Sequence, residues 1–389
     1  MAAERVRVLY DGSPDIRALI GRLQGGECPL IEIEEDGAVV AASYAAIGDS
    51  GRLEAQLAMI AVRVEALLAR AAAGVAAPFP DKPERAPVRF SRLLQWKRAA
   101  RRLAGRVLAP LRRGALRRHW NIALRHGPGP AGFDGFDLDA FTPLPVDPDI
   151  FYADPFVIAR DGRHYLFAEA CPYATGKGVI VCAEVGADGA PGTWRAVLER
   201  PWHLSYPFVF EHGGEIWLAP ESSSHGGIEL YRATDFPYGW TFAERLLPEL
   251  PLVDPTFFEH EGRLWLFAGM GIPGGSDWDE LYAWHAPDLH GPWQAHALNP
   301  IKSDCRSARP GGRVIQLDGR LYRPAQRCER FYGEALVWLQ IGTLTPGAFE
   351  EAEVALWRAE GPGLSGPHHA DLSTSLSAVD FRSLLAGPA

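Results

Sequence analysis

The chain has 389 residues, 47% of them hydrophobic and 22% charged, with a formal net charge of −9. That is an ordinary globular composition, and the length is too great for one small core, so more than one domain is expected. Five cysteines (Cys28, Cys171, Cys182, Cys305, Cys328) form an odd set without a C-x-x-C pair, which argues against a disulfide framework or a zinc site and for reduced structural thiols.

The N-terminus, Met1 to Arg7, lacks a signal-peptide core, and no apolar run reaches the ~18 residues a membrane span needs, so a cytoplasmic protein is expected. Residues 1–75 read as a small α/β domain. Arg5–Tyr10 reads as a strand, Asp11-Gly-Ser-Pro as a turn leading into a helix to about Gln24, Leu30–Glu34 and Ala38–Tyr44 as a hairpin around Asp36-Gly37, and Arg52–Ala73 as a long helix. The lone Gly25-Gly26 is a helix-end signal, because a phosphate loop would need a Lys-Ser or Lys-Thr after it. A docking or oligomerisation role is the default for this domain.

Residues 76–118 are expected to form a Pro-rich linker and a basic helix. Four prolines fall within Val75–Val88. From Lys82 to Arg125 there are 14 Lys or Arg and one acid, Glu84, leaving 25 bases against 47 acids elsewhere. Within 90–111 the apolar residues Phe90, Leu93, Leu94, Leu103, Val107, Leu108 and Leu111 recur at helical spacing with Arg and Lys between them. Such a helix suits either an anionic membrane surface, with Trp96 near the boundary, or the acidic remainder of the chain as a strut between domains. Nucleic acid is not expected, since no aromatic-interleaved basic surface or helix-turn-helix pattern accompanies it.

From residue 119 the chain repeats itself. The copies are Asp154-Pro-Phe with Asp161-Gly-Arg-His-Tyr-Leu-Phe-Ala-Glu169; Tyr206-Pro-Phe with Gly213-Gly-Glu-Ile-Trp-Leu-Ala-Pro-Glu221; Asp254-Pro-Thr-Phe with Glu261-Gly-Arg-Leu-Trp-Leu-Phe-Ala-Gly269; and Arg309-Pro-Gly with Asp318-Gly-Arg-Leu-Tyr-Arg-Pro-Ala-Gln326. Their starts lie 52, 48 and 55 residues apart. Strand, turn and strand at a period near fifty predict β-propeller blades. Two flanking runs, His119–Arg125 and Leu372–Phe381, predict a mixed closing blade, giving a mainly β protein with a five-bladed β-propeller over 119–389. The first and last residues of each copy would lie side by side on innermost strands, so Asp154, Glu169, Tyr206, Glu221, Asp254, Arg309 and Gln326 are expected around one axis.

These motifs, with His203-Leu-Ser-Tyr-Pro-Phe, Ala219-Pro-Glu-Ser and Ser307-Ala-Arg-Pro-Gly-Gly-Arg, resemble the N-terminal domain of the plant glucosamine inositolphosphorylceramide transferases and their bacterial relatives over roughly 119–380. More distantly they resemble the five-bladed-propeller glycosidases of the arabinanase, β-xylosidase and fructosidase clans. The plant resemblance leaves the propeller's own activity open, because sugar transfer there is assigned to a separate C-terminal domain. The glycosidase resemblance implies a carbohydrate-active protein with Asp154 as base or nucleophile.

Glycosidic chemistry needs one carboxyl to protonate the leaving oxygen and a second to activate water or attack carbon. Glu221, after the apolar run Ile216–Ala219, is the expected acid, and Asp254 would orient the sugar or tune Glu221. Here the chain order is Asp, Glu, Asp, whereas the glycosidases place the acid after both Asp residues. Glu169, His203, Tyr206, Arg309 and Gln326 are expected to bind hydroxyls or a phosphate, unless Arg309 simply neutralises Asp154 or Asp254. No cofactor or metal is expected: His368-His369, read as a strand, would point to opposite faces. The partner is then a glycan or sugar-containing molecule, and the competing reading is a non-catalytic glycan- or headgroup-binding module serving a transferase.

If 90–111 rests on a membrane, the protein co-sediments with anionic liposomes at low salt, since each Lys or Arg near the surface contributes about 1 kcal/mol. Changing Arg98, Arg101, Arg102 and Arg106 to Gln then releases it. A parent protein that ignores such liposomes removes the membrane setting.

Overall fold

The computed structural model describes residues 6–75, 79–80, 82, 85, 91, 116–127, 132–133, 135–186, 189–372 and 375–386. Apart from Ser91, the expected basic helix at 90–111 lies outside the described residues. Among them the protein is mainly β, with two α-helices, Ile16–Gly25 and Leu53–Ala72, and six sheets.

The N-terminal sheet is antiparallel and built from Val6–Tyr10, Leu30–Glu35 and Ala38–Tyr44. Asp15 caps the first helix by accepting the Arg17 N–H at 2.9 Å, and Gly26, at φ 75°, closes it. Leu19, Leu23, Ile31, Ile33, Ile60 and Leu67 bury the facing sides of sheet and helices.

The other five sheets are antiparallel too. The first contains Ile150–Arg160, Arg163–Pro172, Val179–Val185 and Arg195–Leu198; the second Ser205–His212, Glu215–Glu221, Ile228–Asp235 and Gly239–Leu246. The third contains Leu252–His260, Arg263–Met270, Glu280–Ala286 and Gln294–Ala295, with Lys302–Ser303 also on Glu280–Ala286; the fourth Ile315–Leu317, Arg320–Arg327, Ala335–Thr345 and Ala348–Trp357. The fifth is mixed in chain order: Ala370–Leu372, Leu376–Ala386, Leu116–His126, Thr142–Pro143. A strand that precedes every repeat thus pairs with the last long strand, from Leu376↔His126 to Ala386↔Leu116.

Apolar packing links these sheets in a cycle. Phe156, Phe208 and Phe257 join the first three; Trp265 and Phe267 meet Leu344 and Phe349 between third and fourth; Trp338 meets Val379 and Phe381 between fourth and fifth; Leu376 and Ile122 meet Val157 and Leu166 between fifth and first. A sheet apolar on both faces needs a neighbour on each side, and a propeller-like ring supplies one.

The repeated Asx/Glx-Gly and Gly-Gly pairs are two-residue hairpin loops with both residues at positive φ: Asp161 and Gly162 at 52° and 73°, Glu261 and Gly262 at 48° and 71°, Asp318 and Gly319 at 50° and 76°. That is the turn whose twist matches antiparallel strands.

Burial would raise the pKa of Glu351, on the outer strand of the fourth sheet, but Arg323 and Lys302 outweigh it and bring it down to about 2. Its carboxylate accepts from Arg323 at 2.6 and 3.0 Å and from Lys302 at 2.7 Å, bridging the fourth sheet to the strand Lys302–Ser303 of the third. Glu351→Gln leaves Arg323 buried and under-compensated, so a loss of about 3 kcal/mol or more in urea unfolding at pH 7 is expected. With the folded pKa below the ordinary 4.5, the contribution is present above pH 4.5 and fades as pH falls toward 2. A gap between parent and variant that is as wide at pH 3 as at pH 7 contradicts this.

Candidate functional site

The residues before the prolines of the first three repeats share one backbone device. Each sits at a bulge, where register slips between Ala153 and Phe156, between Ser205 and Phe208, and between Val253 and Thr256. Asp154, Tyr206 and Asp254 there have φ of 52°, 44° and 51°, a left-handed conformation uncommon for such residues. Proline has no N–H for the ladder and is tolerated inside a strand because it occupies the bulge. The bulge also corrects the expected side-by-side pairing, since Glu169, Glu221 and Gly269 pair with Ala153, Ser205 and Val253, one residue earlier. In the fourth copy the bulge is replaced by a single bridge, Pro310↔Ala325, with Gln326 donating its N–H to Arg309 O at 2.9 Å.

Sequence-distant carboxyls converge on Arg309. Its Nε donates to Asp254 Oδ2 at 2.6 Å, its Nη2 to Glu221 Oε2 at 3.4 Å, and its Nη1 lies 3.1 Å from Asp277 Oδ2. Asp254 and Arg309 are buried, while the side chains of Glu221 and Asp277 are 12% and 38% exposed and so form the open side. Burial, and then the Asp254 carboxylate, pushes the Glu221 pKa well up against the pull of Arg309. Glu221 therefore tends to hold a proton, and it also accepts from Ser223 Oγ at 2.9 Å.

Two expected hydroxyl binders have other work. Tyr206 is fully buried; its hydroxyl lies 2.8 Å from Thr256 Oγ1 and accepts the Gly312 N–H at 3.0 Å, so it is a strut across the axis. Gln326, also fully buried, donates to Asp254 Oδ2 at 3.0 Å and Pro310 O at 2.9 Å, which orients Asp254.

Asp154 lies beside this cluster, with Oδ2 accepting the Tyr206 N–H at 3.2 Å and Oδ1 lying 3.3 Å from His368 Nε2. Burial raises its pKa well up, and His368 opposes that. His368 Nδ1 is 2.8 Å from Asp380 Oδ2, and Asp380 also accepts the N–H groups of Asp154, His368 and His369 at 3.1, 3.1 and 3.0 Å. Burial would lower the His368 pKa, but Asp380 and then Asp154 carry it upward, which favours the protonated ring between the two acids. The two histidines lie in a loop before Ala370–Leu372, outside any strand, so the opposite-faces rule does not apply to them. His368 reaches Asp154; His369 packs edge-on against Phe156 and Tyr206, its pKa lowered by burial to about 4.

Glu169 is buried, and its Oε1 lies 3.2 Å from Nε2 of the half-exposed His203. The Gly178 N–H donates to His203 Nδ1 at 2.9 Å, which puts the ring proton on Nε2, facing Glu169. Among the described residues, two groupings bring possible ligand atoms within 4.8 Å of one another: Glu169, Cys171 and His203, and Asp154, His368 and Asp380. Neither is poised for a metal. Burial pushes the Cys171 thiol up to about 11, the His203 nitrogens are occupied as described, and both His368 nitrogens face carboxylates.

Residues 145–362, more than half of the chain, match the family described as glucosamine inositolphosphorylceramide transferase 1, N-terminal. The chain belongs to this family. It is 38% identical over 215 residues to glucosamine inositolphosphorylceramide transferase 1 of Oryza sativa subsp. japonica, covering 54% of this chain and 28% of that protein. To the protein of the same name from Arabidopsis thaliana it is 36% identical over 252 residues, covering 62% and 32%. The chain thus spans about a third of the length of these relatives. Among solved structures, the catalytic domain of a Coprinopsis cinerea GH62 α-L-arabinofuranosidase aligns with a TM-score of 0.46 at 14% identity, over 69% of this chain and 99% of that one. An exo-1,5-α-L-arabinanase from a bovine ruminal metagenomic library aligns with a TM-score of 0.42 at 14% identity, over 60% and 93%.

In this family member the N-terminal sheet and helices hold two loops of the site. Asp279, two residues after Asp277, accepts from Arg63 at 2.5 Å and from the Ala46 N–H at 3.1 Å, while Glu280 takes Arg63 and, at 2.6 Å, Arg70. Asp49 accepts the N–H of Tyr332, whose ring lies 5.1 Å from the Arg309 guanidinium carbon. Asp277, Tyr332 and Asp380 stand at no repeat position and so carry no sequence signal as site residues; His368, weighed with His369 as a residue that could reach the channel or a metal, stands against Asp154.

Asp380→Asn removes the main group raising the His368 pKa, so an NMR titration of the His368 ring should move downward. Breaking one partner of so buried a pair should cost about 3 to 5 kcal/mol of stability. An unchanged titration means that Asp380 does not set the charge of this ring.

Proposed function

We propose that this chain is a carbohydrate-active, five-bladed β-propeller that cleaves or transfers a glycosyl group at the axial carboxyls. The observation that carries the reading is the contact of Glu221 and Asp254, from two successive sheets, with Arg309, beside Asp154 of the first sheet, with the partly open Glu221 inclined to keep its proton. A carboxyl of that kind is suited to protonate a leaving glycosidic oxygen, and an ionised partner is then needed to activate water or attack carbon. Asp154 is the partner we assign from its place beside the cluster: the His368 ring and the Tyr206 N–H work against burial and the neighbouring carboxylates, which on balance raise its pKa, so its ionised form gains as pH rises. Asp254 acts through Glu221, raising its pKa, and Arg309 holds the pair in register. His203 and Asp277, on the open side, would meet ligand hydroxyls. The relatives' name pairs glucosamine with an inositolphosphorylceramide, and we take the same class, an amino sugar and an inositol phosphate headgroup, as the glycan to test first.

One observation favours a second reading. Arg309 alone contacts three carboxylates, and Asp154 and Asp254 are buried, which equally suits a rigid module that binds a headgroup for a transferase without turning it over.

Asp154→Asn and Glu221→Gln keep shape and remove only the ionisable group. On a substrate found by screening nitrophenyl glycosides and nucleotide sugars, each should lower turnover by about three to five decades, with circular dichroism checking that each variant is folded at the assay temperature. Near-parental activity in either variant removes that residue from the chemistry. A parent that binds the headgroup without turnover, and variants that only weaken the binding, would establish the second reading.

A further inference from the structure

Between the fifth and first sheets lies a cavity of about 420 Å³ walled by three aromatic rings: Trp120 on Leu116–His126, Tyr152 on Ile150–Arg160, and Trp194 just before Arg195–Leu198. Tyr152 and Trp194 stack at 5.0 Å with 13° between their planes, making one rigid two-ring wall, and both are only partly buried. Trp120 serves two places at once. It lines the cavity, and its ring stacks on His368 at 3.9 Å, whose Nε2 faces Asp154. The Trp120 indole and the His368 ring thus lie in series between the cavity and Asp154.

The lining chemistry narrows the occupant. Among the described residues that line it, Asp147 is the one carboxylate and there is no Lys or Arg, so a phosphate or carboxylate ligand would meet no cation from them. His119, also in the wall, is kept neutral by burial. The amide donor of Asn121 is already spent on His119 O at 2.9 Å and Ser383 Oγ at 3.0 Å. What remains is flat apolar ring surface with acceptors beside it, which suits a ligand whose faces are C–H and whose rim carries hydroxyl donors.

We propose that this cavity is a second glycan subsite, taking a neutral sugar ring adjacent to the unit handled at the axial carboxyls. It rests on the glycosyl-handling reading above and extends it from one sugar to an oligosaccharide.

The test uses the full chain on an array of neutral arabino-, galacto-, xylo- and mannooligosaccharides of two to six units, with sialylated and phosphorylated glycans alongside. Affinities for the bound glycans are then measured by calorimetry. Trp194→Ala should weaken neutral oligosaccharide binding roughly ten-fold or more and Trp194→Phe much less, because the stacking face is what matters. Turnover of single-sugar nitrophenyl glycosides should be unchanged in Trp194→Ala. Tyr152→Ala should repeat the loss, and circular dichroism checks that both variants are folded. Parental affinity in both alanine variants, binding confined to the acidic glycans, or no glycan bound at all overturns the subsite. If Glu221→Gln retains turnover while Trp194→Ala loses oligosaccharide binding, the axial assignment fails and the subsite stands.

Discussion

The Asp380 carboxylate is the constraint on which the rest of the site depends. It is fully buried, and it accepts three backbone N–H groups while lying against the His368 ring. Burial alone would raise its pKa, yet His368 and these donors hold it low, so it stays ionised where water does not reach. One of the three N–H groups belongs to Asp154, on the first sheet; the other two belong to the loop that opens the fifth. A single anion thus joins the closing sheet to the first and aims His368 at Asp154. Ring closure and site assembly are the same physical event here.

The bulges do the complementary work on the other sheets. A left-handed residue followed by proline turns backbone and side chain out of the pleat, so that Asp154, Tyr206 and Asp254 address the axis and leave the ladder. The same device has different ends: a carboxylic acid in the first and third copies, and in the second a tyrosine whose hydroxyl spans to Gly312 of the fourth repeat. Only glycine fits there, since a Cβ on Gly312 would stand 2.0 Å from Ala370 O. Close approach of backbones at the axis is thereby traded against the side chains that line it.

The N-terminal sheet and helices bear on the site as well. Their buried arginines neutralise Asp279 and Glu280, and Asp49 anchors Tyr332, so both loops that touch Arg309 are braced from outside the ring. Arg85 continues this connection, 2.7 Å from Glu329 and donating to Cys28 O at 2.8 Å. An ordered first-contact residue needs such support, because a loop held only at its ends samples too many conformers to fix a charge.

The sequence by itself determined the local geometry: the Asp-Gly and Gly-Gly hairpins, the short apolar strands on either side of them, and the repeat positions from which Glu221 and Asp254 reach Arg309, with Asp154 beside them. Those features are written in short-range chemistry, glycine at positive φ and short apolar runs bounded by turns. Only the tertiary structure decided what each axial residue does. Tyr206 and Gln326 looked like hydroxyl binders and are struts, because their partners Thr256, Gly312 and Asp254 come from other sheets. His368 and Asp380 carry no repeat signal, yet they stand against Asp154, more than two hundred residues away in the chain, because closing the ring brings the last sheet onto the first. A protonation state set by burial and by charges from distant segments has no local signature, and so Glu221 and His368 acquire theirs only in the folded chain.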